Sequence, residues 1–216
     1  MITDKMRPSL VIDLDGTLLQ TNTFRDYLAF CGRCAAHAFR IDLMLSVAFW
    51  VTIRKLRIIS HSTMKRHLMQ RTSLFMQHKS RMDDFVEEEL LLTNPRVKTL
   101  VEKYRNRGHL LVLASAAPEF YAKDLADNFR LDTCLATPLP SEVVIGNWHE
   151  NVGEEKLHNL QRFLRQYDAS VDAIITDHED DLPLLKAFSQ ATIYLANPTT
   201  QTEAVLNKEQ IAYQKL

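Results

Sequence analysis

Four carboxylates in this chain fall into two closely spaced pairs. Asp13 and Asp15 lie two residues apart in Asp13-Leu14-Asp15. On a continuing strand they would share a face, and at a strand end they can flank one site. Asp177 and Asp181 lie four apart much further along the chain. Four carboxylates in one cleft cannot all stay ionised without a cation. Hard oxygen ligands favour Mg²⁺, which usually also keeps waters and a substrate phosphate. A phosphate held beside carboxylates needs donors and a positive charge as well. Ser115 and the amides after it can donate, and Lys156 opens the segment that follows Gly153-Glu154-Glu155.

The surrounding pattern says how such distant residues could meet. Ser9 to Asp13 is a short apolar run ending in an acid, which reads as a buried strand presenting Asp13 at its C-terminal end. Asp15-Gly16-Thr17 supplies a turn. From Phe24 to about Leu92 apolar residues recur at helical spacing, as in Phe24, Leu28 and Cys31, then Phe39, Leu43, Val47 and Trp50. That stretch reads as several helices of one inserted lid, closed by Asn94-Pro95 with Pro95 at the first position of the next helix. Beyond it the pattern alternates. Helices are predicted over 96–106, 118–129, 154–167 and 182–188, and strands over 109–114, 133–136, 143–145, 171–176 and 192–195. Asp181 is placed to cap the helix that opens at Leu182-Pro183. Strands separated by helices imply an α/β fold, a parallel sheet with helices on both faces. Ligands of such sheets sit at the carboxyl ends of the strands, and Asp13, Ser115 and Asp177 each follow a predicted strand directly. The core domain is expected to comprise residues 1–20 and 93–216, and the inserted α-helical cap residues 21–92.

The chain has 216 residues, 46% hydrophobic and 25% charged, with a net charge of -1. That suffices for one sizeable core or a core and a small accessory domain, and it argues against disorder or a nucleic-acid coat. The N-terminus lacks the apolar run of a signal peptide, and three cysteines exclude an even disulfide framework, so the expectation is a cytoplasmic protein with reduced thiols. Cys31-Gly-Arg-Cys34 has redox-motif spacing, but no strand precedes it and no second pair accompanies it. Charge is unevenly spread. Residues 43–82 contain eight Lys and Arg and no acid, leaving 18 basic against 27 acidic residues elsewhere.

The ordered motifs resemble those of the haloacid dehalogenase-like hydrolases. Asp13-Leu-Asp15-Gly-Thr-Leu-Leu looks like the first motif, Ser115 after Leu110 to Ala114 the second, Lys156 in Gly153-Glu-Glu-Lys156 the third, and Thr176-Asp177 to Asp181 the fourth. The long helical insert is similar to the lid of the phosphoserine phosphatase-like branch. The resemblance implies a Rossmann-like α/β core and a phosphatase in which Asp13 is the nucleophile and Asp15 the acid and base. It also implies Mg²⁺ held by Asp13, the Asp15 carbonyl and Asp177, with Asp181 as an outer partner, and phosphoryl oxygens held by Ser115 and Lys156. Thr176 and His178 depart from the small residues usual around the fourth motif's first acid, and Ala116 from the glycine often found after the second motif's serine.

The substrate is less constrained. Phosphatases specialised for phosphoserine carry an acid where Asn22 stands. Leu43 to Ile53 is eleven uncharged, mostly apolar residues followed by Arg54, Lys55 and Arg57. As a helix it would reach about 16 Å, roughly half a hydrocarbon core. It reads either as the cap's own core or as an interfacial surface for an amphipathic phosphate such as phosphatidylglycerophosphate, at the inner face of a membrane. A phosphoserine or other small-metabolite phosphatase, and a catalytically silent membrane-surface module, are the alternatives; a nucleic-acid partner is not expected, because the lid holds no recognisable reader motif.

Overall fold

A computed structural model of the protein describes residues 6–140 and 148–216; the strand expected at Val143–Ile145 lies outside the described residues. The chain runs β1 (Arg7–Ile12), α1 (Thr23–His37), α2 (Ile41–Lys55), α3 (His61–Met76), α4 (Lys79–Leu90) and α5 (Pro95–Asn106). It continues through β2 (Leu110–Pro118), α6 (Glu119–Asn128), β3 (Thr133–Thr137), α7 (Glu154–Gln166) and β4 (Ala169–Thr176). A 3-10 turn (Glu179–Asp181) leads into α8 (Leu182–Ala187), β5 (Thr192–Leu195), α9 (Thr200–Lys208) and β6 (Gln214–Lys215). The sheet is parallel throughout, in the order β3-β2-β1-β4-β5-β6. Strand order reverses between β1 and β4, so their carboxyl ends open a crevice there.

Strand alternation builds two apolar layers. Leu10, Ile12, Leu111, Leu113, Ala173 and Ile175 face one side, packed with Val97 and Val101 of α5 and Tyr121 and Leu125 of α6. Val11, Val112 and Ile174 face the other, against Leu157 and Leu160 of α7, Leu184 of α8 and Leu206 of α9. Both faces are covered, which is why these strands read as continuous apolar runs.

Helices α1 to α4 leave the sheet after β1. The two chain segments at their base are tied together: Gln20 N donates to Leu92 O at 2.8 Å and Asn94 N to Leu18 O at 2.9 Å. Asn22 Oδ1 caps α1 by accepting from Arg25 N, and Asn94 Oδ1 caps α5 with Pro95 at its start. Tyr27 of α1, Phe85 of α4 and Tyr121 of α6 pack with ring centroids 5.2 to 5.7 Å apart, so α1 and α4 share a core with the sheet-covering helices. The outer helix α2 is different. Leu43 is its one fully buried residue, with Val47 and Trp50 half-buried on the same side. Ile41, Leu45 and Phe49 line the opposite side and are exposed, Leu45 by 66% and Phe49 by 57%. The segment is therefore apolar on two sides: its inward stripe packs into the core shared with the sheet, and its outward stripe does not. Phe39, expected on the inward stripe, is 86% exposed because the chain turns at a left-handed φ of 53° there between α1 and α2. No helix among the described residues is long and apolar enough to cross a membrane.

Other boundaries differ from the sequence pattern. β2 extends to Pro118, past an irregularity between Ala114 and Pro118, so Ser115 lies within the strand and Pro118 caps α6 instead of starting it. β4 begins at Ala169, because Ala169 and Ser170 pair with Arg7 and Pro8 of a longer β1. Asp181 precedes α8 but makes no capping bond. The thiols of Cys31 and Cys34 are free on α1, and burial pushes the Cys31 thiol up to about 12. A thiol held protonated is a poor redox or metal centre.

Candidate active site

Asp13 follows β1 directly and is still held by the sheet, its N donating to Ile175 O of β4 at 2.9 Å. The chain then turns at Gly16, whose φ is 71°, which brings Thr17 back over the strand end. Thr17 Oγ1 lies 3.4 Å from Asp13 Oδ2 and 3.3 Å from Asp177 Oδ1, bridging the acids that end β1 and β4. Asp15 is fixed from the other side, where its Oδ1 accepts from Thr23 N at the start of α1, 2.9 Å away.

Lys156 reaches this cluster from the first turn of α7. Gly153 caps that helix with φ 55° and ψ −123°, a backbone conformation that favours glycine. Lys156 is buried, and its Nζ donates to Asp13 Oδ1 at 2.9 Å and to Asp181 Oδ1 at 2.6 Å. The other oxygen of Asp181 accepts from Thr176 Oγ1 at 2.7 Å. Both carboxylate oxygens of Asp181 are thus occupied, which explains why it does not cap α8. Ser115 is buried in β2, its Oγ accepting from Ala117 N at 3.1 Å. All six residues expected from the sequence line one cavity of about 770 Å³ at the carboxyl ends of the strands. His178 and Asn22 are on its rim; His178 Nδ1 accepts from Asp180 N, a local turn contact.

The electrostatics follow from packing acids together. Burial pushes the Asp13 carboxyl up to about 6, with Lys156 pulling the other way and Asp181 adding to the rise. Burial lifts Asp177 to about 8, helped by repulsion from Asp13 and Asp181. Asp15 is also raised, chiefly by burial. Burial opposes the Lys156 charge, but Asp13 and Asp181 outweigh it and hold the ammonium above the usual lysine range. Two carboxylates that meet at one hydroxyl, with Asp13 raising the Asp177 carboxyl, are a fitting pair of donors for a small hard cation. Among the described residues no three Asp, Glu, His or Cys side chains form a self-sufficient metal site, so backbone and substrate oxygens would have to complete the shell. A Mg²⁺ site of that kind fits these residues.

Several partners were not legible as site residues. Thr17 reads in sequence as a turn former. Lys65 of α3 is buried in the same cavity and paired with Glu150, and Asn151 is buried behind Ser115. The acid-free basic stretch contains Lys65 but does not single it out.

Comparison with solved structures supports the same architecture. A protein with unknown function from Bordetella pertussis Tohama I is similar with a TM-score of 0.77 at 16% identity, covering 98% of each chain. A probable phosphoserine phosphatase from Vibrio cholerae is similar with a TM-score of 0.63 at 18% identity, covering 93% of this chain and 59% of its own. A phospho-aspartyl intermediate analogue of phosphoserine phosphatase is similar with a TM-score of 0.56 at 12% identity, covering 97% and 93%. These likenesses share the fold. The family model of the haloacid dehalogenase-like hydrolases matches residues 10–186, from the strand that presents Asp13 to the helix after Asp181, and the chain belongs to that family of hydrolytic enzymes.

Proposed function

We propose that this hydrolase is a Mg²⁺-dependent phosphomonoester phosphatase in which Asp13 attacks phosphorus and is transiently phosphorylated. The observation that carries the reading is the contact of Lys156 Nζ with Asp13 Oδ1, 2.9 Å, in a cavity shared with Asp15 and Asp177. An anionic nucleophile meets an anionic phosphate only where fixed positive charge offsets their repulsion, and Lys156 is a buried cation at the nucleophile itself. Asp13 forms the new bond to phosphorus as the alcohol oxygen leaves. Asp15, its carboxyl raised by burial, gives that oxygen a proton, then takes one from the water that hydrolyses the aspartyl-phosphate. Ser115 and Lys156 hold phosphoryl oxygens, and Asp181, fixed by Thr176, keeps Lys156 aimed. Asp13, the Asp15 carbonyl and Asp177 would hold the Mg²⁺, which when bound neutralises the facing carboxylates and polarises a phosphoryl oxygen. That one similar structure is a phospho-aspartyl analogue of phosphoserine phosphatase supports the same intermediate here.

For the substrate, residues 1–20 and 93–216 are read as the core and 21–92 as a cap that selects the leaving group. The outward apolar stripe of α2, with the basic cluster Arg54, Lys55 and Arg57 at and just beyond the C-terminal end of the helix, suits an amphipathic or lipid phosphate such as phosphatidylglycerophosphate, met at the cytoplasmic face of an anionic membrane. Phosphoserine is the second reading, favoured by the similar phosphoserine phosphatase folds. Against it, Asn22 is neutral and uses its side-chain oxygen to cap α1, leaving no charge for a substrate ammonium at that position.

Acid quenching during turnover tests the chemistry. With Mg²⁺ and a labelled aryl phosphate, wild-type protein should retain label that Asp13→Asn does not. Asp13→Asn should lose at least ~10³-fold in kcat while remaining folded. Near-normal turnover by that variant, or activity indifferent to chelation, would overturn the assignment.

A further inference from the structure

Lys65 and Glu150 form a charged pair in the active-site cavity that the chemistry above leaves unused. Lys65 is 3% exposed on α3; its Nζ donates to Glu150 Oε1 and, at 2.7 Å, to Ala116 O, one residue beyond Ser115. Its charge acts on the Asp15 carboxyl and lies 5.2 Å from the centroid of the Phe24 ring. Asp15 is the proton donor to the leaving oxygen, so Lys65 stands on the side where the alcohol half of the substrate must sit.

Glu150 is anchored in a way that leaves its side chain as the movable part. The adjacent Asn151 is fully buried, its N donating to Thr137 Oγ1 at 3.0 Å and its Nδ2 to Ser115 O at 2.9 Å and Leu135 O at 2.8 Å. The backbone beside Glu150 is therefore clamped to β2 and β3, while the carboxylate lines the cavity. A buried ammonium deprived of its anion is strongly destabilising. In the wild-type protein Glu150 supplies that anion, and without it Lys65 should draw another anion from the cavity the more strongly.

We propose that Lys65 is a subsite for a second anionic group carried by the leaving alcohol, and that Glu150 stands in for that group when no substrate is bound. The inference rests on the phosphatase reading and narrows it: favoured substrates carry a phosphodiester, phosphate or carboxylate a few bonds from the scissile phosphomonoester. On binding, the substrate anion takes over the hydrogen bond from Lys65, and the Glu150 carboxylate turns toward the cavity mouth. The Lys65 bond to Ala116 O persists and keeps α3 tied to the strand that carries Ser115. No covalent step is involved.

The test uses soluble esters, so that it does not depend on membrane binding. Wild type should hydrolyse glycerol bisphosphate with a higher kcat/KM than glycerol monophosphate. Lys65→Gln should erase that preference through KM, and Lys65→Arg should restore it. Glu150→Gln, which frees Lys65 from its competitor, should enlarge it by about tenfold, the order expected when a buried charge exchanges anionic partners. Glycerophosphoglycerol, a phosphodiester with no monoester to hydrolyse, gives a readout apart from activity: calorimetry should show tighter binding to Glu150→Gln than to wild type. An unchanged substrate ratio in folded Glu150→Gln, or phosphodiester binding indifferent to that substitution, overturns the proposal. If wild type hydrolyses neither ester nor an aryl phosphate, the phosphatase reading fails, and the glycerophosphoglycerol titration still decides the subsite.

Discussion

Gly16 turns the chain at φ 71° between the two halves of the site, and a Cβ built there would stand 2.1 Å from Asp177 Oδ2. Two costs follow for any side chain at this position, a strained backbone and a collision with an acid proposed to hold the cation. Gly16→Ala should therefore push Asp177 away from Thr17. The expected result is a loss of about 1 to 2 kcal/mol in stability and a fall of ~10²-fold or more in kcat/KM on an aryl phosphate, with a raised Mg²⁺ requirement. Steady-state kinetics over a Mg²⁺ series and a thermal melt check it; wild-type kinetics would mean that Asp177 does not matter where it stands. At this scale the sequence was informative wherever chemistry had to be local. Asp13 and Asp15 share one short motif, Lys156 and Asp177 each sit at an identifiable element end, and Ser115 directly follows the apolar run Leu110 to Ala114. It was silent on Thr17 as a bridge and on Lys65 with Glu150, which meet across 85 positions. A lysine among eight basic residues of an acid-free stretch carries no local mark of burial, because burial is decided by what α3 packs against.

Helix α2 shows the same division at the scale of an element. Its existence and its inward stripe of Leu43, Val47 and Trp50 follow from helical spacing. Its outward stripe could not be assigned from spacing, because an eleven-residue apolar run satisfies a stripe on every side. The extension of β2 through Ser115 was hidden for a related reason: Ser115-Ala116-Ala117 has little strand propensity, and the strand is carried past it by the pairing of Ala114 and Pro118 with β3 on either side of the irregularity. Since Leu45 and Phe49 are exposed already, replacing both with Ser should change stability by no more than about 0.5 kcal/mol. If the outward stripe meets a bilayer, the same double variant should bind vesicles of equimolar phosphatidylglycerol and phosphatidylcholine about tenfold or more weakly. Replacing Arg54, Lys55 and Arg57 with Gln should weaken binding too, and added salt should imitate that loss. Co-sedimentation decides between the readings. Unaltered vesicle binding by the Leu45 and Phe49 variant, or none by wild type, would remove the membrane from the account of α2.

At the scale of the molecule, the helical insert and one face of the sheet share a continuous apolar core, and Glu89 of α4 is enclosed within that arrangement. Glu89 is 3% exposed, and its Oε2 is buried without a hydrogen-bond partner among the described residues. Burial, then repulsion from Asp26 and Asp15, pushes its carboxyl from 4.5 up to about 7. The sign of the consequence follows from proton counting. Between about pH 4.5 and pH 7 the folded protein holds a proton at Glu89 that the unfolded chain has released, so folding stability falls as pH rises through that window and levels off above it. This is opposite to an ion-paired carboxylate, whose contribution is lost as pH falls. Asp13 and Asp177 push the same way, so the total pH profile does not isolate Glu89, whereas a comparison of variants does. Glu89→Gln keeps the shape of the neutral form and has no charge to bury. It should be close to wild type at pH 5 and more stable at pH 8, by about 2 kcal/mol once residual solvent screening is allowed for. Urea unfolding of both proteins at the two pH values measures the difference. An equal difference at pH 5 and pH 8 would show that Glu89 finds a cationic or solvent partner on ionising, and that the apolar core joining the insert to the sheet is open at that point.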